Sequence, residues 1–139
     1  IKIATVRAGN VIGGGDWATN RLIPDFFRAI EIGKKLFIRS PNAVRPWQHV
    51  LEPLSGYLML AEKLVTKGNH YAEAWNFGPQ KKDSKAVSWI IDYLCQKIPN
   101  VEWEIDKTPH PHEASLLLLD SSKAKSSEPL DTSVICEVS

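Results

Sequence analysis

The 139 residues, 43% hydrophobic and 24% charged, have the composition of one ordinary globular domain and suffice to bury a real core. Lys plus Arg is 17 and Asp plus Glu is 16, a formal net charge of +1. That balance argues against a nucleic-acid surface and leaves any anion site to a few placed arginines.

Residues 1–8 open in an apolar, branched stretch, Ile1-Lys2-Ile3-Ala4-Thr5-Val6, which predicts a strand ending at Gly9-Asn10. A chain that starts with Ile inside such a strand is expected to be a fragment, and that strand is expected to lack sheet neighbours. Gly13-Gly14-Gly15 is expected to be a flexible turn that lets backbone approach a neighbour closely. A helix is predicted over about 21–32, with Leu22, Ile23, Phe26, Phe27 and Ile30 on one face and Pro24 in the first turn. Leu36-Phe37-Ile38 reads as a short strand, Ser40-Pro41-Asn42 as a turn and Trp47-Gln48-His49-Val50 as an extended piece.

A strong helix pattern covers about 52–66, with Leu54, Tyr57, Leu58, Ala61, Leu64 and Val65 as its apolar stripe. Ala74-Trp75-Asn76-Phe77 is the next strand, stopped by Gly78-Pro79. Ser84 suits the cap of a third helix, whose inward face carries Val87, Ile90, Ile91, Leu94, Cys95 and Ile98. Val101, Trp103 and Ile105 alternate as a half-buried strand, and Leu116–Leu119 reads as a final apolar strand. Four leucines fall far short of the roughly 20 residues of a membrane-spanning helix. Nothing resembles a secretion signal, so the expected location is cytoplasmic. From Ser126 onward periodicity fades, and 126–139 is expected to be a divergent, poorly ordered tail. The fold class that follows is α/β, with short strands separated by helices.

Several motifs are missing. No Gly-x-Gly-x-x-Gly or Gly-x-x-Gly-x-x-Gly turn follows a strand, so a dinucleotide phosphate cradle is absent. The two cysteines, Cys95 and Cys136, have neither metal-ligand spacing nor a disulfide framework. No Ser-His-Asp or Cys-His arrangement is present. Tyr93-Leu94-Cys95-Gln96-Lys97 has the spacing of a Tyr-x-x-x-Lys pair, but it lies in the third helix pattern and reads as chance. Asp25, Glu31, Glu52 and Glu62 read as solvated helix faces. His110-Pro111-His112-Glu113 lacks the further ligands a structural metal needs; a histidine hydrogen bond to an anionic ligand or a loop carbonyl is expected there.

The residues with ligand-like placement sit at strand ends. In Arg45-Pro46-Trp47, proline biases Arg45 towards an extended backbone, which suits bidentate contact with a phosphate. The other reading is a surface arginine paired to a carboxylate. Asn10 and Asn76 either occupy turn positions or present an amide to a ligand.

Longer motifs resemble a known family. Val6-Arg7-Ala8-Gly9-Asn10-Val11-Ile12-Gly13-Gly14-Gly15-Asp16-Trp17-Ala18 is similar to the mid-chain motif of the CDP-glucose 4,6-dehydratases, within the extended short-chain dehydrogenase/reductases. So are the run from Ile38 through Arg45-Pro46-Trp47-Gln48-His49-Val50 to Tyr57, then Trp75-Asn76-Phe77-Gly78-Pro79, His110-Pro111-His112-Glu113-Ala114 and Leu119-Asp120-Ser121-Ser122-Lys123-Ala124. The resemblance spans about 4–125. It implies the carboxy-terminal part of an extended Rossmann-type fold: the last parallel strands plus a small α/β lobe that binds the sugar nucleotide.

By the same resemblance the cofactor is NAD, held mainly by a part outside this chain, with Ala8 and Val11 beside the nicotinamide. Asn10, Arg21, Arg39, Arg45, Asn76 and His112 would contact the sugar nucleotide, and catalytic residues are expected elsewhere. The implied reaction is an internal redox cycle: oxidation at C4 acidifies C5, water leaves from C5 and C6, and hydride returns to C6. The implied partners are CDP-glucose or a related sugar nucleotide and further copies in a homo-oligomer, with neither nucleic acid nor membrane. A related epimerase or dTDP/UDP-sugar dehydratase, and a non-catalytic binding module, remain the alternatives. After Lys125 the sequence departs from the family pattern. On its own the chain is expected to be catalytically inactive and to aggregate or stay molten.

Overall fold

The computed structural model describes residues 1–99, 101–127 and 130. In chain order the elements are β1 (Thr5–Ala8), β2 (Asn10–Ile12), α1 (Leu22–Glu31), β3 (Leu36–Ile38), β4 (Val44–Arg45) and β5 (Trp47–His49). Then come α2 (Leu51–Lys67), β6 (Ala74–Phe77), β7 (Lys85–Ala86), α3 (Val87–Lys97), β8 (Trp103–Ile105) and α4 (Ser122–Ser126), with short 3-10 turns at Gly68–Tyr71 and Lys81–Asp83. Strands pair two by two, β1 with β6, β2 with β5 and β3 with β8 in parallel, and β4 with β7 antiparallel. Parallel pairs separated by helices are the α/β class read from the sequence. Among the described residues no helix is long and apolar enough to cross a membrane.

The chain divides into two compact units. The first unit comprises Ile1–Ile12, Pro46–Ser84 and the described residues from Leu118 onward. Leu60, Tyr71, Trp75, Phe77, Ala124 and Leu130 form its core, with Ala4, Tyr57, Met59 and Leu64 packed against them. The β1–β6 register runs from Thr5 opposite Ala74 to Ala8 opposite Phe77, and Thr5 N donates to Glu73 O at 3.0 Å. The Tyr71 and Trp75 rings stack at 5.8 Å, and the Trp75 indole N–H donates to Tyr71 O at 3.1 Å. Lys123 covers the outer face of Trp75 at 4.1 Å while pairing with Glu73. Close approach needs glycine at two points. A Cβ on Gly9 would stand 2.5 Å from Pro46 O, and one on Gly56 would collide with the Phe77 ring.

The second unit comprises Gly13–Arg45 and Lys85–Leu117. Phe26, Ala29, Leu36, Ile38 and Ile91 form its core, with Leu22, Ile30, Val87, Leu94, Cys95, Ile98, Val101 and Trp103 around them. Most of the predicted inner face of the third helix is here, with Leu22, Phe26 and Ile30 of the first, whereas Phe27 is exposed and Ala29 is buried in its stead. Trp103 Nε1 donates to Asp92 Oδ1 at 3.0 Å, so a half-buried indole keeps a partner.

Several sequence expectations fail, each for a tertiary reason. The stripe assigned to α2 is only partly right: Tyr57 and Leu64 pack against the core, but the buried face is centred elsewhere. Pro53, Gly56 and Leu60 are its buried apolar positions, whereas Leu54, Leu58 and Val65 are exposed, Leu58 at 74%. The helix is apolar on two sides, so periodicity alone could not say which side faces β6. Glu52 is buried, and its Oε1 accepts the His49 N–H at 3.2 Å, tying β5 to the start of α2. Leu116–Leu119 is no strand: Leu116 makes one isolated parallel bridge to Val44, and Leu116 and Leu117 stay about half exposed. Asn10–Ile12, lying past the predicted end of the first strand at Gly9-Asn10 and given no element there, forms its own pair with β5. Gly14 and Gly15 face open space, so no close approach explains these two; Gly15 instead holds a φ of 77°. Ser84 caps no helix, since α3 starts after Ala86.

The first strand does not lack a sheet neighbour: β1 pairs with β6, its one partner among the described residues, while Ile1 and Ile3 before it are exposed. Of the expected tail, Ser126 closes α4 and Leu130 packs in the core, while 128–129 and 131–139, Cys136 among them, lie outside the described residues.

Candidate functional site

In the second unit β4 is two residues long and ends in Arg45, because Pro46 cannot extend a ladder on its N–H side. Val44 N donates to Ser115 O at 2.9 Å and Leu117 N to Val44 O at 3.1 Å, which lays the loop after β8 along β4. Arg45 uses that neighbour: its Nη1 donates to Ala114 O at 2.8 Å and to Val44 O at 3.1 Å. Its side chain is only 13% exposed, and Nη2 remains 3.6 Å from Glu113 Oε2. Arg39, just past β3, places Nη2 at 3.3 Å from the other oxygen, Glu113 Oε1. Two guanidiniums thus converge on one carboxylate, one per oxygen. Of the two readings of Arg45 from the sequence, the one visible here is the pairing with a carboxylate, made by a side chain that is mostly buried.

The other predicted contacts in this unit lie apart from that cluster or on its rim. Arg21 pairs loosely with Asp16 at 4.0 Å and is largely exposed. His112 is exposed beside Glu113 in sequence. His110 Nε2 sits 2.8 Å from Asp106 Oδ2 and 2.9 Å from Thr108 Oγ1. The Thr108 hydroxyl and backbone N–H, then His110, hold the Asp106 carboxyl down at about 2. The expected histidine hydrogen bond is therefore made to a carboxylate. No group of three His, Cys, Asp or Glu side chains among the described residues could hold a metal ion.

In the first unit the predicted residues line strand ends. Asn10 opens β2, half-buried, its N–H donating to Pro46 O at 2.9 Å. Asn76, in β6, donates its amide Nδ2 to Asp120 O at 2.9 Å, so its side chain joins β6 to the segment before α4. Beyond the ends of β6 and β5 opens a cavity of about 390 Å³, lined among others by Gln80, Lys81, Ser84, Asp120, Ser122 and Lys125. Its frame is hydrogen-bonded: Ser121 Oγ donates to Gly78 O at 3.1 Å, and Gln48 Nε2 donates to Phe77 O at 3.0 Å. The Ser122 hydroxyl and backbone N–H keep the Asp120 carboxyl below its ordinary range, so it stays an anion.

Sequence reading did not pick out Gln80, Lys81, Asp120 or Lys125. A basic pair, Lys81-Lys82, directly after a Gly-Pro strand stop was the signal available. Glu113 was quoted within a motif but given no role of its own.

Ala8 and Val11 are half-buried side chains on β1 and β2, flanking Gly9. They offer apolar contact only. Gly9 is required by Pro46, not by a phosphate, and β1 leads into β2 without reaching a helix N-terminus. The described residues therefore do not fit the pyrophosphate of a dinucleotide.

No family model matches the chain. It is 52% identical over 125 residues to the CDP-glucose 4,6-dehydratase of Salmonella typhimurium, an alignment covering 89% of this chain and 35% of that protein. The chain thus spans about a third of the length of the curated relative it matches. Among solved structures, UDP-glucuronic acid 4-epimerase from Bacillus cereus, in complex with UDP-glucuronic acid and NAD, superimposes with a TM-score of 0.74 at 22% identity, over 91% of this chain and 38% of its own. The dTDP-glucose 4,6-dehydratase from Bacillus anthracis, in complex with NAD, does so with a TM-score of 0.62 at 20% identity, over 88% and 37%. These two likenesses show the fold. The resemblance carried by the sequence motifs is a relationship running through most of the chain.

Proposed function

We propose that this chain, related over 125 residues to a CDP-glucose 4,6-dehydratase, is the segment of such an enzyme that grips the sugar nucleotide. The observation carrying the proposal is that 52% identity, over a span too long to miss Arg39, Arg45 or Glu113. Arg45 and Arg39 take the diphosphate. Arg45 is suited to this because its Nη1 is committed to two carbonyls, so the guanidinium is already oriented and little rotamer freedom remains to be lost on binding. Asn10, Arg21, Asn76 and His112 are further contacts under the same reading, Asn76 through whatever its bond to Asp120 leaves available.

NAD, bound in the structures of the Bacillus cereus epimerase and the Bacillus anthracis dehydratase, would supply the transient oxidation at C4. The residues here offer it no pyrophosphate cradle, and no step of the reaction is assigned to them. The natural ligand is CDP-glucose, the enzyme a lyase of the cytoplasm acting as a homo-oligomer.

The test is calorimetric titration of the 139-residue chain with CDP-glucose, dTDP-glucose and UDP-glucose. CDP-glucose is expected to bind tightest; binding of UDP-glucose with none of CDP-glucose would sink the proposal. In the same samples, NAD plus CDP-glucose is expected to yield neither NADH absorbance nor 4-keto product. Turnover by this chain alone would overturn the assignment of chemistry to residues outside it.

A further inference from the structure

The convergence of Arg39 and Arg45 on Glu113 has features of a site already filled by its own counter-ion. Each carboxylate oxygen of Glu113 faces a different guanidinium, the arrangement by which two arginines hold two oxygens of one phosphoryl group. The fit is loose: 3.3 and 3.6 Å lie beyond the roughly 2.7–3.2 Å of a good N–H···O bond. Such pairs, with Arg39 and Glu113 each more than a third exposed, are worth little to the fold.

Mobility is unequally distributed among the three residues. Arg45 is anchored by its bonds to Val44 O and Ala114 O. The backbone following Glu113 is anchored too, through Ala114 O to Arg45 and through Ser115 O to Val44 N at 2.9 Å. What can move without breaking a hydrogen bond is the Glu113 side chain, 35% exposed, by rotation towards solvent.

Charge dictates the rest. Two guanidiniums and one carboxylate leave the cluster at +1. A diphosphate entering beside Glu113 would bring like charges within a few ångströms, so ligand and carboxylate exclude one another.

We propose that Glu113 is an internal counter-ion occupying the phosphoryl site between Arg39 and Arg45, and that it swings out when the ligand enters, thereby setting the affinity of that site. The proposal rests on the sugar-nucleotide reading for the identity of the ligand, but its chemistry requires only a phosphoryl anion. It opposes the alternative in which Glu113 positions the arginines for the ligand, because the two roles change affinity in opposite directions.

The experiment titrates inorganic pyrophosphate and, separately, CDP-glucose into the 139-residue chain, its Glu113→Gln and Arg45→Met variants and the double variant, with far-UV circular dichroism on each. Glu113→Gln is expected to bind pyrophosphate about 5- to 20-fold tighter, the gain available from releasing two exposed ion pairs. Arg45→Met is expected to abolish binding, and the double variant to show no gain. Should Glu113→Gln lose its native dichroism, Glu113→Asp replaces it, its shorter carboxylate giving a smaller gain in the same direction. Unchanged or weaker pyrophosphate binding by the folded variant overturns the proposal. Tighter pyrophosphate with no CDP-glucose binding by any form keeps the counter-ion and discards the sugar-nucleotide reading. CDP-glucose binding by the parent chain with no gain in the variant does the reverse, and no binding of either ligand by any form discards both.

Discussion

In the unit built on Trp75 and Phe77, polar side chains near the strand ends are turned onto backbone carbonyls: Gln48 onto Phe77, Ser121 onto Gly78 and Asn76 onto Asp120. In the unit built on Phe26 and Ile91, those near β4 are charged and face one another at lengths beyond good hydrogen bonds, Arg39 and Arg45 around Glu113. The contrast teaches where each kind of group is useful. A neutral amide or hydroxyl that satisfies a buried carbonyl locks two segments together and would be costly to remove. A loosely paired, solvent-facing charge adds little to stability but stays exchangeable, and exchange is what binding an anion requires.

The largest effect expected from this contrast lies in the first unit's core. Phe77→Ala empties a ring that is 1% exposed and that Gly56 was kept small to receive, and should cost about 3–5 kcal/mol in urea-monitored unfolding. A cost near zero would mean the tightness at Gly56 is not native.

Next, Gln48→Leu removes the donor to Phe77 O and leaves that buried carbonyl unpaired, an expected loss of about 1–3 kcal/mol. Arg39→Ala, on a side chain 39% exposed, should stay within about 0.5 kcal/mol on the same instrument while weakening pyrophosphate binding. Equal stability losses for the two variants would erase the distinction between the units.

The smallest effect is one of pH. Asp106 sits at about 2 in the fold against an ordinary 3.8, so between those values the folded carboxyl binds fewer protons than the unfolded one. The stability this confers is complete above the unfolded value and is lost as pH falls through about 2. Asp106→Asn should flatten the acid limb of the stability profile over that window. An Asp106 carboxyl found by NMR to titrate at its ordinary value would show that the turn with Thr108 and His110 does not hold it.

The features legible before folding were local ones. Helices α1 and α3 with most of their inward faces, the strands at Leu36–Ile38 and Ala74–Phe77, the α/β class and the family motifs were readable, since a 3.6-residue period and a run of branched residues need no distant partner. The buried side of α2 was not readable, because Leu54 and Leu58 are as apolar as Leu60 and only the Phe77 ring fitting against Gly56 selects between the faces. Nor was Leu116–Leu119, where an apolar run makes only a single bridge, to Val44 in the two-residue β4, and so forms no strand of its own.

The candidate site divides along the same line. Arg45 stood out as a candidate from the proline beside it, but its orientation depends on Ala114, 69 residues away in sequence. The meeting of Arg39, Arg45 and Glu113 was decided by the tertiary structure alone. Pairing between β4 and the loop after β8 is a long-range event, and no local pattern records which carboxylate it will bring between two arginines.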